Sequence, residues 1–375
     1  MCEDVLSHLI FFSPPDQSVK RGATITLTWK SDRGAYGTWR KDGQLVTGGG
    51  KDSRLTIRHE DDKKFFLTIV DVREEDEGQY SLELENWLGK ETGSANVKLL
   101  EYDLDWRSLE WNANEKRKKK LENFTLSNPQ IGHLRFLLHG PVGYGKSSII
   151  NSFNSVFQRR ITEKALTATA TDTSHTKVYK TYQVKDAQGR TLPFVFNDSM
   201  GLENAEGGGS LTDDIIAAIQ GHVKEDYEFK NNSSLCEGDD YYNHSPNLSD
   251  QVHCLITVIH GSKITLMQDS DNILKKMRTI RRAASDLGIP QVVIMTHVDE
   301  CCKLVKTDLK HIYSSKKIHN TMDHCSKKLG VPMKCIFPVK NYHEENTVDP
   351  KTDCLILQAL QSIALLANDY VEDKK

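Results

Sequence analysis

Short runs in which apolar and polar residues alternate occupy the first hundred residues of the chain. The run ATITLTW places Ile25, Leu27 and Trp29 on one side of an extended chain, and the later runs KFFLTIVDV and SLELEN repeat the alternation. A period of two between apolar positions, with turn-forming residues between the runs, is typical of strands that bury one face. Several such strands in succession predict an all-β sandwich domain over residues 5–100.

A different pattern begins near residue 131, where unbroken apolar runs alternate with segments of helical periodicity. The runs HLRFLLH, LPFVFN and IPQVVIM have the length and composition of buried strands. A segment with apolar residues at helical spacing follows the first run, and these residues are Ile149, Ile150, Phe153, Val156 and Phe157. Strands that alternate with helices predict a three-layer α/β/α domain with a mostly parallel sheet over residues 131–372.

Residues 101–130 lie between the two patterns and are predicted to form a helical linker. Trp106 and Trp111 would anchor a helix there, and the sequence SNP at 127–129 would end the pattern before the next strand. The basic run KRKKK at 116–120 is interpreted as the solvated face of this helix. Further along the chain, the polar segment 223–250 has little periodicity and is predicted to be a long loop or insertion.

The composition narrows the function classes without identifying one. Charged residues make up 27% of the chain and the net charge is only -3, so the basic excess expected of a bulk nucleic-acid-binding protein is absent. No run approaches eighteen consecutive apolar residues, so no transmembrane segment is expected. Seven of the eight cysteines lie after residue 235, and they match neither a disulfide framework nor the ligand spacing of a zinc site. These features predict a cytoplasmic protein.

One stretch of the first domain matches a known fold in detail. The sequence DEGQY at 76–80 and the tryptophan Trp39 resemble the immunoglobulin fold, specifically its intermediate set, the I-set. The resemblance places Tyr80 in the tyrosine corner and Trp39 at the buried tryptophan position. Leu82 and Trp29 stand where that fold commonly has paired cysteines, and a buried indole would replace the stabilisation that a disulfide gives. The domain is expected to dock a protein partner or a neighbouring domain, and a spacer role is the alternative.

The most specific chemical motif is a glycine-rich loop between the first buried strand and the first helix of the second domain. The sequence GPVGYGKS at 140–147 matches the phosphate-binding pattern in the strand–loop–helix context that it requires. Glycines let consecutive backbone amides face one anion, and the following helix adds positive charge at its first turn. Lys146 would reach the β- and γ-phosphates, and the Ser147 hydroxyl would bind Mg²⁺. The residues of this loop expected to bind nucleotide are Gly140, Gly143, Tyr144, Gly145, Lys146, Ser147 and Ser148.

Two further segments are predicted to complete the magnesium and phosphate site. The run LPFVFN ends in the sequence DSMG, where the Asp198 carboxylate would hold Mg²⁺ and the Gly201 N–H would face the γ-phosphate. The threonine of the first switch is expected to be Thr173, or else Thr176. The glycines at 207–209 are expected to let their loop move when phosphate leaves. The expected metal ligands are therefore Ser147, Thr173 and Asp198.

The choice of base is expected to depend on the end of the run IPQVVIM. The sequence THVD at 296–299 occupies the place of the Asn/Thr-Lys-x-Asp motif of GTPases, in which the carboxylate accepts two hydrogen bonds from guanine. Asp299 fits this role, whereas His297 replaces the lysine whose stem covers the base, so an imidazole would stack there instead. The sequence PVKN at 338–341 is the candidate for a second base-reading segment. A helix cap after a strand is the structural alternative, and an ATP-dependent enzyme is the functional one.

Several segments beyond residue 104 together resemble one family. The chain is similar to the interferon-induced protein 44 and 44-like family in DWRSLEWNANEKRKK, GPVGYGKSSIINSFNSVFQ, LPFVFNDSMGL, THVD and DPKTDCLILQAL. The resemblance implies a cytosolic GTP-binding protein of antiviral and innate-immune responses, with GTP or GDP and Mg²⁺ as ligands. Leu202 stands where many small GTPases have the glutamine that orients the attacking water, so slow hydrolysis is expected, awaiting self-association or a partner. A scaffold that nucleotide stabilises without switching is the alternative.

Overall fold

The computed structural model describes residues 11–20, 22–48, 54–87, 89–99, 105–165, 177–203, 211–230, 232–268 and 271–375. The chain divides into an all-β unit that ends at Arg107 and an α/β unit that begins at Ser108. The second unit therefore begins inside the segment 101–130, for which the sequence predicts a helical linker.

The all-β unit is formed from short strands in two sheets. Its strands are β1 Phe11–Phe12, β2 Gln17–Val19, β3 Ile25–Ser31, β4 Tyr36–Lys41, β5 Gln44–Leu45, β6 Leu55–Glu60, β7 Lys64–Ile69, β8 Gly78–Asn86 and β9 Gly89–Leu99. One sheet has the order β1-β3-β7-β6, and the other has the order β2-β9-β8-β4-β5. Neighbouring strands are antiparallel except β2 and β9, which run parallel. Two antiparallel sheets around one apolar core form the sandwich that the alternating pattern predicts.

Two tryptophans lie at the centre of this core. Trp29 and Trp39 are buried, and their rings meet edge to face with centroids 4.8 Å apart. Trp39 pairs across the sheet with the buried Leu82. The Tyr80 hydroxyl donates to the carbonyl oxygen of Asp76 at 2.9 Å, which is the tyrosine-corner contact. The predicted roles of these aromatic residues are confirmed, and packing of indole and leucine replaces a disulfide here.

The α/β unit is built on a six-stranded sheet. Its strands are β10 Leu134–His139, β11 Lys180–Lys185, β12 Thr191–Asp198, β13 Cys254–His260, β14 Gln291–Thr296 and β15 Ile336–Pro338. They are arranged in the order β11-β12-β10-β13-β14-β15, and only β11 runs antiparallel to its neighbour. Every residue of β13 is buried, as expected when helices cover both faces of a parallel sheet.

Helices lie on both sides of this sheet. They are α1 Asn114–Glu122, α2 Lys146–Gln158, α3 Thr212–Gln220, α4 Gly261–Ile264, α5 Asn272–Asp286, α6 Val298–Cys301, α7 Lys303–Thr307, α8 Lys316–Leu329 and α9 Pro350–Glu372. One group contains α2 and α9, which pack together, and α9 also contacts β10, β13 and β15. The other group contains α3 and α5, which pack together; α3 contacts β10 and α5 contacts β14. The mostly parallel sheet and its two groups of helices agree with the predicted α/β architecture.

The helix α2 forms where the apolar spacing predicts one. The apolar residues from Ile149 to Phe157 are buried, and the Phe153 ring stacks on Phe196 of β12 with centroids 4.8 Å apart. Apolar residues three and four positions apart lie on one helix face. This packing fixes the first turn of α2 at the end of β10.

The helix of the predicted linker is part of the α/β unit. It is α1, which packs against α9 and buries Leu121. Lys116, Lys119 and Lys120 are exposed, but the prediction of a solvated face is wrong for the other two basic residues of the run, Arg117 and Lys118, which are buried.

The buried ammonium of Lys118 has a specific structural role. It donates to the carbonyl oxygens of Val156 and Phe157 at 2.8 and 3.1 Å, in the last turn of α2. The last carbonyls of a helix have no partner within the helix, so a donor placed there satisfies them. Lys118 is buried within a charged run because its ammonium supplies hydrogen bonds to the last carbonyl oxygens of α2.

One helix in the described part of the chain, α9, is long and apolar enough to cross a membrane, by length and composition only. A search for uninterrupted apolar residues does not find it, because polar residues break the run. Within the structure 56% of its most apolar window is buried, and its buried residues include Leu355, Leu360 and Ile363. The core helix of a globular domain has the same properties.

The described residues of the predicted insertion, 223–250, form no helix or extended strand and are connected to α3. Val223 pairs with Tyr242 in an isolated bridge. The carboxylate of Asp214 in α3 accepts a hydrogen bond from the backbone N–H of Leu235 at 2.7 Å. Backbone hydrogen bonds and this buried carboxylate therefore hold the insertion against the α/β unit.

Candidate functional site

The loop after β10 lies at the point of the sheet where ligands of open α/β folds commonly bind. β10 has β12 on one side and β13 on the other, both parallel to it. The connections from such a central strand diverge to opposite sides and leave a crevice beyond its carboxyl end. The glycine-rich sequence at 140–147 begins at this crevice and continues into α2.

Three glycines of this loop have backbone conformations that other residues rarely adopt. Gly140 has φ 143°, and a Cβ atom there would lie 2.4 Å from the carbonyl oxygen of Val258. Gly145 has φ 87° and immediately precedes α2. Gly143 also has a positive φ and is exposed. The left-handed turn at Gly145 lets α2 begin directly at Lys146.

The side chain of Lys146 is held across the loop. Its ammonium is buried and donates to the carbonyl oxygens of Gly140 and Pro141, both at 3.0 Å. Burial lowers the pKa of Lys146 to about 8, and the nearby Asp198 carboxylate acts in the opposite direction. A buried cation beside a loop of backbone amides is suited to an anion, because the anion would stabilise the charged form of the lysine.

Ser147 and Asp198 meet at the start of α2. The Ser147 hydroxyl donates to Asp198 Oδ2 at 2.6 Å, and the carboxylate is buried at the end of β12. Hydroxyl and carboxylate oxygens are hard ligands of the kind that Mg²⁺ prefers. Both residues therefore fit a magnesium ion beside the loop, as the sequence predicts. The third predicted ligand, Thr173, lies outside the described residues, as do Thr176 and the glycines at 207–209.

The segment after Asp198 is bonded directly to the loop. The Leu202 N–H donates to the Gly140 carbonyl at 3.0 Å, and the Val142 N–H donates to the Leu202 carbonyl at 3.2 Å. A Cβ atom on Gly201 would lie 2.5 Å from Val142 Cγ2, so the backbone approaches too closely for a side chain. The structure thus brings Gly201 to the loop, and its contact with a γ-phosphate stays a prediction.

The segment THVD follows β14 on the same edge of the sheet. His297 has φ 56° and immediately precedes α6, in whose first turn Asp299 is partly exposed. The His297 ring stacks on His260, with centroids 3.9 Å apart and planes 7° apart. The Thr296 hydroxyl donates to the Tyr144 carbonyl at 2.9 Å, which connects this segment to the glycine-rich loop.

Several predicted residues help to join the loop to its surroundings. The Tyr144 ring lies edge-on to His260, with centroids 5.9 Å apart, and burial raises the pKa of the Tyr144 phenol. Asn341, in the second candidate base-reading segment, donates from Nδ2 to the Gly145 carbonyl at 3.2 Å. Ser148 is partly buried in the first turn of α2. These contacts place the ends of β10, β14 and β15 around one loop.

His260 lies outside every motif found in the sequence, and Thr296 appears there only as the first position of THVD, with no role assigned. His260 ends β13 and pairs in register with Thr296 at the end of β14. A rule based on strand ends would find both, since the carboxyl ends of adjacent parallel strands meet at the same edge. The arrangement as a whole can bind an anionic ligand next to a hard metal ion and hold a flat group nearby.

Known proteins are similar to the two units separately. The family model of the immunoglobulin I-set domain matches residues 12–99. Interferon-induced protein 44 of Homo sapiens is 36% identical over 244 residues, which is 65% of this chain and 54% of that protein. Interferon-induced protein 44-like of Homo sapiens is 33% identical over the same length, and the Mus musculus interferon-induced protein 44 is 34% identical.

The chain therefore resembles interferon-induced protein 44, as the sequence motifs predict. It spans about half the length of the curated relatives that it matches. Among solved structures, the titin M3 domain is similar to 24% of this chain, with 98% of that domain covered, 22% sequence identity and a TM-score of 0.22. The I-set family match identifies the all-β unit as an immunoglobulin-like domain. The similarity to interferon-induced protein 44 does not by itself explain the presence of this domain.

Proposed function

We propose that this chain binds GTP together with Mg²⁺ and acts as a slow, nucleotide-dependent switch in an interferon-induced antiviral response. The observation on which this depends is the 2.6 Å hydrogen bond between Ser147 and Asp198. This hydrogen bond joins Ser147, in the first turn of α2, to the Asp198 carboxylate at the end of β12. A serine and an aspartate in these positions are the two protein groups that hold Mg²⁺ in phosphate-binding-loop proteins.

The phosphate chain would bind along the loop and the first turn of α2. Amides at the start of a helix carry partial positive charge and suit an anion. The Lys146 ammonium, which donates to two loop carbonyls in this structure, would turn to the β- and γ-phosphates. Bound Mg²⁺ would neutralise phosphate charge, with Ser147 and Asp198 holding it directly or through water. The protein groups bind and orient, which is most of what phosphoryl transfer requires.

Guanine would bind beyond the loop, at the ends of β14 and β15. The Asp299 carboxylate is partly exposed in the first turn of α6 and is the group proposed to accept hydrogen bonds from the base. His297 would cover one face of the base, although in this structure its ring lies against His260. Selection of GTP over ATP depends on this segment.

Slow hydrolysis is proposed because Leu202 follows Gly201. Leu202 is buried, and its backbone is bonded to Gly140 and Val142. An apolar side chain cannot orient water for attack on the γ-phosphate. The same observation favours the second candidate function, a scaffold that nucleotide stabilises without productive hydrolysis.

Protein partners are proposed to dock on the immunoglobulin-like unit. The described part of this unit exposes three large aromatic side chains, Phe12, Tyr36 and Trp87, which are 61%, 87% and 83% accessible. Exposed aromatic residues are common at protein interfaces. Self-association and a cytoplasmic location are further parts of the proposal.

A nucleotide titration tests the proposal directly. The purified chain is titrated by calorimetry with GTP, GDP and ATP, each with and without Mg²⁺. GTP should bind more tightly than ATP, and Asp299→Ala should weaken GTP by about 1.5–3 kcal/mol, the range for hydrogen bonds to a charged group, while leaving ATP unchanged. Equal binding of GTP and ATP would contradict guanine selection. No binding of any nucleotide would overturn the proposal.

Hydrogen exchange separates a switch from a scaffold. Peptides from residues 165–178 and 199–212 are compared in the presence of GDP and of a non-hydrolysable GTP analogue. A switch requires different protection in the two complexes, whereas a scaffold gives the same protection in both. Turnover of several GTP per second by the chain alone would contradict slow hydrolysis.

A further inference from the structure

We infer that His260, His297 and Glu300 form a binding site for a zinc ion at the carboxyl ends of β13 and β14. The three residues can each offer one ligand atom, and these atoms all lie within 4.8 Å of one another. The site combines His260, at the end of β13, with His297 and Glu300, which lie three positions apart after β14.

The strand register explains why two distant histidines are neighbours. His260 pairs with Thr296 across the parallel strands β13 and β14, and His297 is the next residue. Glu300 lies in the following helix, α6, with Oε2 at 3.4 Å from His260 Nε2. In tetrahedral zinc sites with ligand distances of about 2.0–2.1 Å, two ligand atoms are about 3.4 Å apart. In this structure the two imidazole rings stack, with centroids 3.9 Å apart and planes 7° apart, so the rings must rotate out of the stack before both Nε2 atoms can point at one ion.

The hydrogen bonds of His297 leave one ring nitrogen for a metal. The Thr296 hydroxyl contacts the carbonyls of Tyr144 and Ile259 at 2.9 and 3.2 Å and His297 Nδ1 at 2.9 Å. Carbonyls only accept, so the hydroxyl proton is directed to them and His297 Nδ1 must donate to the hydroxyl oxygen. The neutral ring then has its lone pair on Nε2, the tautomer that metal-binding histidines commonly have.

His260 is held in a comparable way. Its Nδ1 lies 3.0 Å from the Ser262 hydroxyl, while its Nε2 faces Glu300. The imidazole is buried, and burial lowers the pKa of His260 to about 3, with His297 and Lys263 acting in the same direction. Burial likewise lowers the pKa of His297. The neutral imidazole is the form that binds a metal.

The donor set selects the kind of ion. Imidazole nitrogens suit zinc and its neighbours in the transition series, whereas Mg²⁺ prefers oxygen ligands. This site is thus chemically distinct from the Ser147 and Asp198 pair proposed for magnesium. The Glu300 side chain is 58% accessible, so an ion can enter from solvent while the two rings stay largely covered.

Zinc titration of the full chain tests the inference. The protein is stripped of metal and titrated by calorimetry with Zn²⁺ under reducing conditions, with Mg²⁺ present in excess. The wild type should bind one ion that Glu300→Gln weakens at least about tenfold. Thr296→Val removes the group that orients His297 and should weaken binding about 10–100-fold. His244→Ala, which removes an exposed histidine of the same unit, should bind like the wild type.

Cobalt identifies the ligands independently of affinity. Co²⁺ bound by two imidazoles and a carboxylate shows visible bands without the strong near-ultraviolet sulfur-to-metal absorption of thiolate ligation. Sulfur absorption would place the ion on cysteines and overturn the inference. Equal zinc affinity of the wild type and Glu300→Gln, or no binding by the wild type, would also overturn it.

The zinc site does not use the glycine-rich loop of the proposed nucleotide site, although His297 belongs to both proposals. Lys146→Ala is expected to bind zinc like the wild type because Lys146 offers no ligand to this site. Loss of GTP binding with retained zinc binding, or the reverse, shows which of the two proposals fails.

Discussion

The interiors of the two units differ in the number of polar groups that they bury and in where these groups lie. In the described part of the all-β unit, the buried polar residues are Ser31 and Asp76, and the Asp76 carboxylate accepts from Arg54 at 2.8 Å and from the Arg73 N–H at 2.7 Å. The α/β unit buries Lys146, Asp198 and other polar groups at one edge of its sheet.

This difference shows that the interior of the all-β unit serves packing, whereas one edge of the α/β sheet also keeps groups that can bind a ligand. A buried polar group costs free energy unless it is fully paired, so a fold retains such groups at a site that has a use for them. The sandwich is stabilised by its tryptophans, and its sequence pattern is that of an interaction module. The edge of the α/β sheet keeps cations and carboxylates close together, where a ligand can compensate them. Substitutions in the core of the all-β unit should therefore change stability, whereas substitutions at the edge of the α/β sheet should change ligand binding.

The largest effect is expected in the sandwich core. Trp29→Ala should lower the free energy of unfolding of the all-β unit by about 3–5 kcal/mol, the range for removing a large buried aromatic side chain. Scanning calorimetry of the full chain should show the unfolding transition of the all-β unit shifted to lower temperature. GTP binding, measured separately by titration, should be unchanged.

Two variants serve as controls for this prediction. Trp87→Ala removes an exposed indole and should shift the transition little. Trp29→Phe should cost less than Trp29→Ala, because it retains a ring and removes an indole N–H that has no hydrogen-bond partner. A Trp29→Ala variant as stable as the wild type would show that packing does not replace the disulfide.

The next effect concerns the phosphate loop. Lys146→Ala should weaken GTP by about 1.5–3 kcal/mol, because it removes a charged donor to the phosphates. Calorimetric titration measures the change, and the unfolding transition of the sandwich should stay in place. Lys116→Ala, which removes an exposed lysine of α1, should bind GTP normally. Unchanged affinity of Lys146→Ala would show that the loop does not hold phosphate.

A smaller effect is expected from the metal ligand. Ser147→Ala removes the hydroxyl that donates to Asp198, so Mg²⁺ should no longer strengthen GTP binding, a loss of about 1–1.5 kcal/mol at saturating Mg²⁺. The neighbouring Ser148→Ala should keep the effect of Mg²⁺. Identical Mg²⁺ dependence in Ser147→Ala and the wild type would exclude Ser147 as a ligand.

The smallest effect is a dependence of affinity on pH. Burial lowers the pKa of Lys146 to about 8 in the protein alone, whereas phosphates would stabilise the ammonium and raise that pKa. Above pH 8 binding must therefore take up a proton, and GTP affinity should fall about threefold between pH 7.5 and 8.5. Calorimetry in two buffers of different ionisation enthalpy measures the uptake.

Lys146→Arg provides the reference for this pH dependence. A guanidinium stays protonated throughout this range, so the variant should lose the decline between pH 7.5 and 8.5 even if its affinity is lower. A wild type whose affinity does not change with pH would show that the buried lysine is not linked to binding.

Sequence patterns predict local elements well when one segment supplies the whole signal. The apolar spacing around Phe153 gives α2, and the motif from Gly140 to Ser147 gives the loop, because helix periodicity and glycine chemistry act over a few residues. The position of Asp198 also follows, since a carboxylate ends a buried strand. The proposed roles of Thr173, His297 and Asp299 stay predictions.

Contacts between distant segments explain what the sequence does not predict. The pairing of His260 with His297 requires knowledge that β13 and β14 are adjacent and in register. Burial of Lys118 in a charged run depends on where α2 ends. Local periodicity contains neither fact, because both come from the order of strands and the packing of helices.

The contact between Lys118 and the end of α2 determines where an independently folding fragment must start. A polypeptide that began at residue 131 would contain every motif residue, yet two carbonyls in the last turn of α2 would lose their donor and α9 would lose the helix that covers it. The smallest fragment that can fold as the complete α/β unit therefore reaches back to about Ser108, where that unit begins.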